Sequence, residues 1–130
     1  MEITAIVKNS SRHHEALVRA GDTAQTVAIA PKAQGCGCAV SGGELLVLAL
    51  ATCYCNDLYR EAQRLGIDLR GVEVEASARF EGAGLAANHI RYRARLDTTA
   101  TPPQIERLLR ETDAVAEVHN TLRVGTPVDL

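Results

Sequence analysis

Aromatic side chains are scarce in this chain. There is no Trp, one Phe and three Tyr, an aromatic share of 3%. Stacking platforms for single-stranded nucleic acid need several aromatic faces, so that class of function is disfavoured. Lysine is nearly absent, with Lys8 and Lys32 the only two, and the net charge is −2. A balance this close to neutral points to neither a nucleic-acid nor a membrane-surface partner. No long apolar run exists either. The longest, Leu45 to Ala51, falls far short of the roughly 20 residues of a spanning helix. The N-terminus, Met-Glu-Ile-Thr-Ala-Ile-Val, lacks a basic segment ahead of an apolar stretch and does not read as a secretory signal. A cytoplasmic protein is expected, and in that compartment four cysteines are expected to be thiols.

The 130 residues with 46% hydrophobic content suit one domain over 1–130. With few aromatics, its core must be built from Ala, Val, Leu and Ile. Ile3 to Lys8, Glu15 to Ala20 and Thr23 to Ala30 read as three strands, with a turn at Gly21-Asp22. Pro31 to Gly43 reads as a loop carrying Cys36 and Cys38. Glu44 to Leu65 is the best helix, stopped by Gly66. Val72 to Phe80 and Ile90 to Leu96 alternate apolar and polar residues and read as half-buried strands. Arg91, Arg93 and Arg95 share the wet face of the second, balanced by Glu73 and Glu75. Thr101-Pro102-Pro103 opens another helix, with Pro in the first turn. Asp113 to His119 is expected as a short helix, and Leu122 to Leu130 as a closing extended segment.

The first half of the central helix, Leu45 to Cys55, is apolar nearly all the way round. Such a helix must be covered on every side, which predicts a second helix or a second subunit against it.

Cys53 and Cys55 lie two apart on that helix, about 200° of rotation, and face nearly opposite ways. They cannot bridge each other. Both fit equally well as small buried apolar residues. Gly35-Cys36-Gly37-Cys38 could be a redox pair, a source of resolving thiol, a soft metal-ligand pair or two incidental loop cysteines. A metal is not expected, because no second ligand pair accompanies it. No His-Glu-x-x-His, nucleophile elbow, Walker loop or dinucleotide glycine fingerprint is present, and no cofactor is expected.

The run Ser-Gly-Gly-Glu-Leu-Leu-Val-Leu-Ala-Leu-Ala-Thr-Cys from Ser41 to Cys53 resembles the signature of the OsmC/Ohr family. So does Glu-Val-His-Asn-Thr-Leu-Arg-Val-Gly-Thr-Pro-Val from Glu117 to Val128, and the element order is similar. The resemblance implies an α+β fold, an intertwined homodimer of order β-β-β-α-β-β-α-(α)-β with the central helices packed between sheets. It also implies cysteine-dependent reduction of organic hydroperoxides, with a small hydrophobic or peroxide substrate. Cys53 matches the family's peroxidatic cysteine. The family's catalytic Glu corresponds to Gly43, with Glu44 one place later. Its resolving cysteine corresponds to Ala116. No arginine can be matched; Arg19 and Arg12 are weak candidates. A resolving thiol would then come from Cys36, Cys38 or an external thiol reductant. His119, one turn beyond Ala116 if the segment is helical, is a candidate partner for the Cys53 thiolate. The alternative is a dimer that keeps the fold, binds small ligands or serves in stress, and has no peroxidase activity.

Overall fold

The computed structural model describes all residues, Met1 to Leu130. Its elements are β1 (Ile3–Ser10), β2 (His13–Ala20), β3 (Thr23–Thr26), α1 (Gly42–Leu65), β4 (Leu69–Arg79), β5 (Asn88–Thr98), α2 (Pro102–Val115) and α3 (Glu117–Val124). The class is α+β, as expected. The chain divides into two compact units, Met1–Leu45 and Leu46–Leu130.

The first unit is an antiparallel meander in the order β1-β2-β3. Its first turn has Arg12 at φ 65°, a left-handed conformation that few non-glycine residues take. The second turn is the expected Gly21-Asp22. β1 is exposed along its whole length. Past β3, Pro31 and Cys38 form an isolated bridge, closed by the Lys32 N–H donating to the Gly37 carbonyl. Gly37 sits at φ 118° and donates its own N–H to Asn9 Oδ1 at 2.7 Å, tying the loop to the β1 end.

The second unit holds the hydrophobic core. Tyr54, Leu58 and Ala62 recur at four-residue spacing on one face of α1 and meet Leu108 of α2 and Ala116. The inward residues of the β4–β5 ribbon, Val72, Val74, Tyr92, Ala94 and Leu96, pack on the same cluster. Its other face is wet, with Arg93 opposite Glu75 and Arg95 opposite Glu73. The Arg93–Glu75 pair closes to 2.8 Å, whereas Arg91 lies opposite Ser77. α2 opens with a full capping box. The Thr101 hydroxyl accepts from the Gln104 N–H, and the Gln104 side chain accepts from the Thr101 N–H.

Two expectations at the C-terminal end are corrected. The helix expected over 113–119 does not exist as such. α2 runs on to Val115, Ala116 leaves helical geometry at φ −70° and ψ 100°, and α3 begins at Glu117. The segment expected to be extended from Leu122 is helical to Val124, where Gly125 at φ 63° ends it. Thr126 to Leu130 pair with no strand of this chain, so the last β of the expected order is not formed within it. No helix is long and apolar enough to cross a membrane.

Candidate functional site

Cys53 lies on the core side of α1, half-buried, and packs against the cluster that contains Ala116. Its thiol donates to Asp57 Oδ2 at 3.5 Å, one turn further along the same helix. Asp57 is buried, and its other oxygen accepts from Arg60 Nη1 at 2.9 Å. Burial is the first cause that pushes the Cys53 thiol above its ordinary value. The Val118 backbone N–H, in the first turn of α3, pulls the other way. The Asp57 charge, the hydrogen bond to it and the Glu117 charge all add to the upward push. Within the chain, then, burial first and the Asp57 and Glu117 carboxylates after it hold the proton on sulfur against the pull of the Val118 amide.

Cys55 faces away from Cys53, as the spacing requires, and is also half-buried. Gly43 and Ala116 stand where the resemblance expected a catalytic Glu and a resolving cysteine. Ala116 is fully buried in the core. Glu44 is an N-terminal cap. Its carboxylate accepts from the Ser41 N–H at 2.7 Å, while the Ser41 hydroxyl accepts from the Glu44 N–H at 3.2 Å. The bond to the Ser41 backbone holds the Glu44 carboxyl below its usual range. Ser41-x-x-Glu44 ahead of an apolar run was a legible capping signal. Cys36 is exposed and Cys38 half-buried, both in the first unit. Cys38 Sγ accepts from the Val40 N–H at 3.4 Å. No group of three His, Cys, Asp or Glu side chains is gathered where it could hold a metal ion.

His119 is buried, with 4% of its surface exposed. It packs edge-on to Tyr92, ring centroids 4.4 Å apart, and tilts against Tyr54 at 5.8 Å. Neither ring nitrogen has a hydrogen-bond partner. Within one chain it therefore makes neither the expected bond to Cys53 nor a bond to a backbone carbonyl. Burial, followed by the Arg123 charge, lowers its pKa, against weaker upward pulls from Asp113 and Asp57. The ring is a neutral imidazole near pH 7. Around it, Asp113 accepts from the Tyr92 hydroxyl and from Arg123. Sequence reasoning missed both Asp57 and Asp113. The first was visible as a Cys-x-x-x-Asp helical pair. The second depends on the ribbon and α2 coming together and had no local signal.

A central helix carrying a half-buried cysteine, set on a β-ribbon and two further helices, defines an α+β fold. Residues 34–130 match the family model described as OsmC-like protein, and the chain belongs to that family. Solved structures agree in fold. An OsmC-like protein from Mycoplasma pneumoniae is 18% identical, with 94% of this chain and 86% of that chain covered at a TM-score of 0.63. An organic hydroperoxide resistance protein OsmC from Legionella pneumophila is 18% identical, with 92% and 89% covered at 0.60. An OsmC-like hydroperoxide resistance protein from Jannaschia is 15% identical, with 98% and 88% covered at 0.56. No curated protein is significantly similar in sequence.

Proposed function

We propose that this chain works in the cytoplasm as a homodimer that reduces organic hydroperoxides through Cys53. The observation that carries the reading is the place of Cys53: half-buried on a helix whose sequence resembles the family's reactive-cysteine helix, with the Val118 amide of α3 favouring its thiolate. Two of the structural neighbours are hydroperoxide resistance proteins by name. The dimer is supported by the exposed β1 strand and by Leu48 on α1, 59% exposed in the single chain.

In the reaction the Cys53 thiolate attacks the outer peroxide oxygen. A sulfur–oxygen bond forms, the oxygen–oxygen bond breaks, and the alkoxide leaves as the alcohol after taking a proton. The sulfenic acid left on Cys53 then condenses with a thiol, releasing water and forming a disulfide. That thiol is Cys36, Cys38 or an external small-molecule thiol, and a further thiol equivalent restores Cys53. The test is hydroperoxide consumption by the purified protein with a thiol reductant present. Consumption that disappears in Cys53→Ser supports the reading; no consumption by the wild type ends it.

A second reading has its own observation. The Asp57 carboxylate keeps the Cys53 proton in place, which suits a dimer that retains the fold and binds a small ligand without peroxide chemistry. Inactivity together with saturable ligand binding would select it.

A further inference from the structure

The wet face of the β4–β5 ribbon is a ladder of charge pairs that stops short of one end. Arg70 meets Asp97 at 3.0 Å, Arg93 meets Glu75 at 2.8 Å and Arg95 lies 4.0 Å from Glu73. The last two arginines have no carboxylate opposite. Arg91 stands across from Ser77, and Arg79 across from Asn88. Unlike Arg70 and Arg93, neither makes an ion pair or a side-chain hydrogen bond within the chain.

Between those two rungs β4 has Ala78 alone, while β5 has both His89 and Ile90. The extra residue is a bulge, a device that re-aims side chains. His89 within it sits at φ 49°, in the left-handed region that few non-glycine residues take. A cavity of about 420 Å³ opens there, lined by Ser77, Ala78, Arg79, His89 and Arg91. Ser77, Arg79, His89 and Arg91 are all exposed, and no carboxylate is among the lining residues.

The donors set the chemistry of the ligand. Each guanidinium presents a planar fork of N–H groups that fits two oxygens of a carboxylate or a phosphate. A phosphate monoester brings three acceptor oxygens and close to two negative charges above neutral pH, one for each unmatched arginine. A single carboxylate brings one charge and leaves one arginine unmatched. The volume lies near the lower end of small-molecule sites, roughly 300–1,000 Å³, which leaves room for a compact organic group beside the phosphate.

We infer that the bulged end of the β4–β5 ribbon binds a small organic phosphate monoester, with Arg79 and Arg91 holding its phosphoryl oxygens from two strands. The Ser77 hydroxyl and the His89 imidazole supply further donors. The site lies on the wet face of the ribbon, and Cys53 takes no part in it.

The test is a titration of the full-length protein with methyl phosphate, in phosphate-free buffer at physiological ionic strength and slightly above neutral pH. It is followed by the side-chain Nε–Hε resonances of Arg79 and Arg91. A saturable shift of both is expected, unchanged in Cys53→Ser. Arg79→Gln and Arg91→Gln should each weaken binding about tenfold, the worth of one charge-assisted pairing. Arg95→Gln removes the same charge four residues along the strand from Arg91, about 13 Å away and beyond the screening length of about 8 Å. It should leave binding unchanged. All three positions are exposed, and circular dichroism checks that each variant keeps the fold. No saturable shift in the wild type would overturn the inference. So would acetate binding as tightly as methyl phosphate, since one carboxylate would then suffice. Arg95→Gln weakening binding as much as Arg91→Gln would overturn it too, because the attraction would then belong to the whole face.

Discussion

The Cys53 thiol donates a hydrogen bond to Asp57, one helical turn away at 3.5 Å. A carboxylate in that place works against thiolate formation, because it favours the protonated sulfur. Asp57→Asn removes the charge and keeps the shape. The pH dependence of Cys53 alkylation by a small reagent should move to lower pH, and any peroxide reaction at neutral pH should speed up. Arg60→Gln should do the reverse, since Arg60 partly offsets the Asp57 charge at 2.9 Å. An alkylation profile unmoved by Asp57→Asn would show that burial alone sets the thiol.

His119 ties stability to pH. Its folded pKa is lowered, first by burial and then by Arg123, with Asp113 and Asp57 opposing. The unfolded chain therefore binds a proton at higher pH than the folded one does. The resulting stability is full above the ordinary histidine value of about 6.5 and is lost as pH falls through the folded value. Urea midpoints should drop from pH 7.5 toward pH 5. His119→Leu should flatten that dependence, and an equal slope in the variant would assign the pH effect to other groups.

The inner face of α2 depends on one side chain. Leu108 is fully buried between α1 and the ribbon side of the core. Leu108→Ala should cost about 2–5 kcal/mol, the range for cavities left by buried leucines. At the start of the same helix, Thr101→Ala breaks the capping box and should cost about 1 kcal/mol. Chemical denaturation of both variants checks the ranking. Comparable losses would mean that the core relaxes around position 108.

How much of this was legible in the sequence follows from the range of the interactions. The strands, α1 with its stop at Gly66, the Thr101 start of α2 and the opposite facing of Cys53 and Cys55 all rest on period, caps and turn residues within a few positions of each other. The Arg93–Glu75 and Arg95–Glu73 pairs were readable because two alternating strands joined by a short turn fix their own register. The break at Ala116 was not. Alanine is a good helix former, and only burial in the core explains an extended alanine between two helices. Burial of His119 and the Asp113 hub were equally hidden, because both depend on β5, α2 and α3 meeting. Glu44 shows the opposite case. Its cap on α1 was legible from the local Ser-x-x-Glu pattern alone.

Leu48 is the sharpest probe of the proposed dimer. It lies in the apolar first half of α1, yet 59% of it is exposed in the single chain, and Ala49 and Thr52 beside it are exposed too. An apolar helix face left in water is a place for another surface to sit. Leu48→Glu changes little inside one subunit, because the side chain is mostly outside the core already. In a dimer it would bury a carboxylate without a partner, which association cannot tolerate. Light scattering coupled to size exclusion should give twice the chain mass for the wild type and the single-chain mass for Leu48→Glu, with the far-ultraviolet circular dichroism unchanged. A wild type that runs as a monomer at micromolar concentration would remove the dimer altogether. A Leu48→Glu variant that stays dimeric would place the interface away from this face of α1.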